Sequence, residues 1–91
     1  MQMERIQKNE DRLDAVSQSL KNLEMALADF TSHKKDLMYL NKYYGSPNWY
    51  RDKEAYEQGK IPPIKAGVLS EDAVWDLNED IKELKKEIQK M

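Results

Sequence analysis

The chain has 91 residues and no cysteine, and its 15 basic and 17 acidic side chains give a formal net charge of −2. That length holds one small domain, and the near-even balance supplies no field toward nucleic acid or anionic lipid. Without cysteine there are no disulfides, thiolate metal sites or cysteine nucleophile, a composition that fits a reducing cytoplasm.

Residues 3–44 lack glycine and proline and read as one long helix. With Ile6 at heptad position a, Leu13, Leu20 and Leu27 also take a, while Val16, Leu23, Phe30, Leu37 and Tyr44 take d. A seam held this long is a coiled-coil or long-bundle signal. Asn9 takes a d position and Lys34 and Asn41 take a positions; polar groups in a seam set register or oligomer state, although Lys34 can also snorkel at a rim. The stripe is narrow from Ile6 to Leu23 and broadens from Ala26 to Tyr44, where Ala26 and Leu40 fill g and Met38 fills e. A narrow seam suits one partner helix and a broad face suits two neighbours. Thr31-Ser32-His33 has the lowest helix propensity of the stretch, yet the periodicity predicts a continuous helix through it.

Residues 45–70 hold all three glycines and all three prolines. Gly45 stands where a helix end needs a left-handed residue, and Ser46-Pro47 reads as an N-cap followed by the first helical residue. A short helix from Pro47 to about Gln58 should close at Gly59. Lys60-Ile61-Pro62-Pro63-Ile64 must be extended, with Ile61 and Ile64 as anchors. Tyr43, Tyr44, Trp49, Tyr50 and Tyr56, with Trp75 from the next helix, form a candidate aromatic patch. The other reading is that these rings roof the helix pair and supply core that two thin helices lack.

Residues 71–91 read as the last helix. Ser70 is its N-cap candidate, and Leu69 and Val74 stand at the two positions of a hydrophobic staple. Val74, Leu77, Ile81, Leu84, Ile88 and Met91 keep an unbroken seam. Acidic residues fill the first half and lysines the second, which complements the helix dipole. Trp75 lies off the seam and is placed against the middle segment. Asp72, Asp76 and Asp80 make a carboxylate row at i, i+4, better read as a solvated face than as a metal site because no further ligand is near.

Together these elements predict an all-α single domain, residues 1–91. The long N-terminal helix (3–44) and the shorter C-terminal helix (71–91) form an antiparallel coiled-coil-like hairpin. The short aromatic helix and proline-rich loop (45–70) are inserted between them. At ~1.5 Å per residue the last helix reaches back only along about residues 23–44. Ile6, Leu13, Val16, Leu20 and Leu23 therefore form a candidate self-association seam, with an antiparallel dimer as the simplest closed arrangement.

Catalytic motifs are missing. His33 is the one histidine and reads as a rim residue, and no phosphate-cradling glycine loop is present. No apolar run approaches the ~20 residues of a membrane span, and Met1-Gln2-Met3-Glu4-Arg5 has no signal-peptide hydrophobic region.

Three blocks carry a resemblance: Tyr43-Tyr44-Gly45-Ser46-Pro47-Asn48-Trp49, Gly59-Lys60-Ile61-Pro62, and Gly67-Val68-Leu69-Ser70-Glu71-Asp72-Ala73. In order and spacing they resemble a small, uncharacterised bacterial domain-of-unknown-function family with the pattern Y-Y-G-S-x-x-W … G-x-[IL]-P … G-V-L-S-E-D-A. The resemblance implies a bacterial or phage origin and a helical domain, and brings no activity or cofactor. The sequence is thus read as a non-enzymatic protein-interaction or scaffolding module. It acts as a homo-oligomer, without cofactor, in the cytoplasm, and its partners are itself and a heterologous protein. A second reading is a small regulator or inhibitor of one target protein. The third is a ligand binder or hydrolase-type enzyme using the Trp49/Tyr56/Trp75 region.

Overall fold

The computed structural model describes residues 1–91, which form four α-helices and no strand: α1 (Gln2–Ser32), α2 (Lys34–Tyr43), α3 (Pro47–Glu57) and α4 (Ala73–Gln89), with a 3₁₀ turn at Gly67–Leu69 before α4. The chain divides into two compact units, Met1–Lys35 and Asp36–Met91.

The first unit is α1, 31 residues without a buried side chain. Its seam residues stand between 45% exposed at Leu23 and 69% exposed at Val16. The helix expected to run unbroken to residue 44 stops at His33, whose backbone (φ −98°, ψ 13°) leaves the α-helical basin. The cause is local. The Ser32 hydroxyl donates to the Asp29 carbonyl and the His33 N–H turns to the carbonyls of Phe30 and Thr31. Short polar side chains that bond nearby backbone compete in this way with the i→i−4 ladder.

The second unit carries the core. Trp49, Leu69 and Val74 are its buried side chains. Leu37, Leu40, Ile61, Val68 and Ile81 are half-buried around them. Each turn of the chain here follows from a local rule. Gly45 closes α2 in the left-handed region (φ 76°), and the Ser46 N–H donates to the Tyr43 carbonyl at 2.9 Å. The Ser46 hydroxyl then accepts from the Trp49 N–H at 3.2 Å, and Pro47 occupies the first turn of α3, where its missing N–H costs nothing. Gly59 (φ 71°) ends α3 in a Schellman motif. Lys60 N–H donates to the Ala55 carbonyl and Gly59 N–H to that of Tyr56.

The Ser70 hydroxyl accepts from the Ala73 N–H at 3.0 Å. Leu69 and Val74 are both buried beside it, but the N-cap of the helix is Asp72, without a side-chain cap bond, so Ser70 holds the turn that precedes α4 and the pair does not take the staple positions expected from Ser70 as N-cap. Regular helix begins at Ala73 rather than at 71.

Within this unit α2 and α4 run antiparallel. Tyr44 donates its phenol proton to the Glu71 carbonyl, and Asn41 and Asn78 exchange side-chain amide bonds at 2.7 and 3.4 Å. The seam asparagine Asn41 thus meets another asparagine across the helix pair. Burial along α4 stops after Ile81, and Leu84 and Ile88 are exposed.

A Cβ at residue 45 would meet nothing within 4 Å, so the cost of Gly45→Ala is one of backbone conformation alone. It should destabilise the second unit by roughly 1–2 kcal/mol, read as a lowered urea midpoint with unchanged slope.

Candidate functional site

The aromatic segment is assembled where α2 hands over to α3. The three-residue connection Tyr44-Gly45-Ser46 brings Tyr44 edge-on to Trp49, with centroids 5.2 Å apart at 72°. One residue further along α3, Tyr50 also meets the indole edge-on, at 4.9 Å and 79°. The Trp49 Nε1–H donates to the Val68 carbonyl at 2.9 Å, so a ring on α3 is tied to the 3₁₀ turn that precedes α4. A turn later on α3, Lys53 places its ammonium 5.3 Å from the Trp49 ring centre and pairs with Glu71 Oε1 at 2.8 Å. That bond raises the Lys53 pKa and holds the Glu71 carboxyl below its ordinary range.

A second clasp lies beside the first. Tyr43 donates its phenol proton to Asp52 Oδ2 at 2.6 Å. Because the bond to Asp52 favours the neutral phenol, with desolvation and the carboxylate's charge adding to it, the Tyr43 pKa rises from 10.0 to about 12. This pair stands at one edge of an open cleft of about 170 Å³, whose apolar wall is Ile61, Ile64, Val68 and Leu69. Of the two expected loop anchors, Ile61 is half-buried, whereas Ile64 is exposed and only lines the cleft. A tyrosine held protonated in this way is a hydrogen-bond donor to Asp52 and a poor acid.

The expected aromatic patch is therefore split. Tyr43 and Tyr44 are half-buried, Trp49 is buried, and Tyr50 covers the indole edge while remaining exposed itself. Tyr56, 37% exposed, and Trp75, 59% exposed, stand apart from this group. The placing of Trp75 against the middle segment is corrected: its neighbour Val74 takes the buried position, and one helical step (~100°) turns Trp75 to solvent. Trp49 is roof, as the alternative reading had it. Asp52, Glu71 and the Val68 carbonyl complete the cluster. None carries a local signal, since each acts across 9 to 27 residues of chain. The seam residues Ile6, Leu13, Val16, Leu20 and Leu23 lie along α1 and are exposed. No three histidine, aspartate or glutamate side chains converge to hold a metal ion, and no helix is long and apolar enough to cross a membrane.

Acrylamide quenching separates the two tryptophans. A Trp75→Phe chain should keep a blue-shifted, weakly quenched emission from Trp49, and a Trp49→Phe chain a red-shifted, readily quenched one. Spectrophotometric titration should find one of the five tyrosines ionising near pH 12. The raised folded pKa means that Tyr43 contributes stability below pH 10 that is lost as pH climbs toward 12. Tyr43→Phe should abolish both the late titration and that alkaline loss.

Residues 6–91 match the model of a family described as Domain of unknown function (DUF4298), and the chain belongs to that family. No curated protein and no solved structure matches it significantly.

Proposed function

We propose that this member of the family is a protein-interaction module that acts by self-association through α1. The observation that supports the reading is a 31-residue helix with no buried side chain whose apolar residues form one stripe. A helix in a protein owes most of its stability to the packing of such a face against another element. The stripe has Ile6, Leu13, Val16, Leu20, Leu23, Leu27 and Phe30 along it, and within its own unit no second element covers them. Burying an apolar side chain of this size is worth about 1.5–3 kcal/mol when complete. Seven that are about half exposed offer on the order of 10 kcal/mol, comparable to the roughly 4–15 kcal/mol that association costs. A matching helix face is the cover that also satisfies the heptad spacing.

The regulator reading has one observation in its favour. Tyr50 and Trp75 expose large rings on the second unit, and exposed aromatic residues are enriched among interface anchors. A heterologous partner would dock there while α1 holds copies together.

Multi-angle light scattering tests the self-association. The full chain should run as an oligomer. Removing residues 1–20, or introducing Leu13→Glu with Leu20→Glu, should give a monomer that keeps the buried Trp49 signal. A truncated chain that stays oligomeric with α4 helical moves the interface elsewhere.

A further inference from the structure

Self-association through α1 leaves open how the two stripes face each other. Resting on that reading, we propose that two copies pair their α1 helices parallel and in register, with Asn9 against Asn9 and Arg5 against Glu10 of the second copy. The occupant of the stripe is thus a second copy of this chain, in the same orientation.

The polar layer is the first reason. Asn9 sits on the seam, exposed, with its amide nitrogen bonded back to the Arg5 carbonyl at 2.9 Å and its oxygen accepting from Arg12 at 3.2 Å. A parallel in-register pair places two Asn9 amides opposite each other, where they can exchange hydrogen bonds. The antiparallel pair with full overlap, Ile6 to Phe30, places Asn9 against Leu27 and buries an amide beside an apolar side chain, which is costly. The chain already uses the matched arrangement once, since its other seam asparagine, Asn41, pairs with Asn78.

The flanking charges are the second reason, and they are independent of the first. In a parallel pair a g residue faces the e residue five positions on in the second helix. Arg5 at g then faces Glu10 at e, twice by symmetry, while Arg12 faces Ser17 and Ser19 faces Glu24. Two attractive pairs result and no repulsive one. An antiparallel pair brings e residues alongside e residues on one flank, and full overlap sets Glu10 beside Glu24 twice on that flank. Sliding by one heptad removes that repulsion. It also uncovers Ile6 in one direction, or Leu27 and Phe30 in the other, and so gives up part of the stripe that drives association.

Two single-cysteine chains read the orientation directly, because the chain has no cysteine of its own. Gln2 is a d position outside the charged pairs, so Gln2→Cys should form a disulfide-linked dimer in a glutathione buffer. Ser17→Cys lies near the centre of the fully overlapped antiparallel pair and should stay unlinked. Sedimentation equilibrium gives a second readout with the opposite sign for the two arrangements. Glu10→Arg should weaken the dimer by about fivefold or more, by setting a second guanidinium against Arg5, and adding Arg5→Glu should restore it. A Ser17→Cys cross-link, a dimer tightened by Glu10→Arg, or a dimer linked through neither cysteine overturns the parallel arrangement and leaves self-association standing. A full chain that sediments as a monomer throughout overturns both.

Discussion

One buried indole holds the second unit together. Trp49 is 3% exposed, and its only polar atom is satisfied by the Val68 carbonyl, so the ring can be buried without an orphaned donor. The bond ties α3 to the segment that leads into α4, as the Lys53–Glu71 pair also does. Around it, Tyr44 and Tyr50 shield the indole edge and the Lys53–Glu71 pair lies across the ring. Leu69 and Val74 then complete a core of three side chains. A core so small cannot tolerate much: full burial of apolar side chains of this class is worth about 1.5–3 kcal/mol each, against a backbone cost of about 1–2 kcal/mol for every residue ordered. The caps and clasps of the connecting segments are therefore a large share of what keeps residues 36–91 folded.

Local chemistry made those segments legible. Ser46, Pro47, Gly45 and Gly59 act within five residues of chain, and each was readable because its physics is contained in that window, whereas the start of α4 fell two residues later than Ser70 suggested. The interruption at His33 was readable as a weakness but not as an outcome. Heptad periodicity continues across it through Leu37 and Tyr44, and the spacing of side chains does not report the one hydroxyl that turns to Asp29. Long-range contacts were out of reach for a different reason. Nothing in the neighbourhood of Asp52 points to Tyr43, and nothing near Val68 points to an indole 19 residues earlier. Trp75 failed likewise. Both Val74 and Trp75 are large and apolar, and which of two adjacent helical positions faces inward depends on where the preceding turn arrives.

The polar ends of the aromatic cluster are largely engaged in holding the chain's own connections. Tyr43 is tied to Asp52, Tyr44 to the Glu71 carbonyl, Lys53 to the Glu71 side chain and Trp49 to Val68. Each bond joins segments separated by 9 to 27 residues, and each stabilises the same crossing of α2, α3 and the start of α4. An arrangement of this kind behaves as a clasp. The apolar surface still without a cover then includes the α1 stripe, Tyr50 and Trp75, and Leu84 and Ile88 beyond the covered part of α4.

The two asparagine layers connect these halves of the problem. An amide in a hydrophobic seam is tolerated where a second amide answers it, and its cost elsewhere is what makes it select one alignment over another. Asn41 and Asn78 make such a match inside one chain, at the exposed edge of the α2–α4 pair. Asn9 stands in the α1 stripe, on a helix whose own unit contains no second element to answer it. In the proposed parallel pair, the residue that answers Asn9 is its own equivalent in another copy. Hydrophobic area alone would accept either direction of approach. The amide and the Arg5–Glu10 spacing are the features that distinguish them.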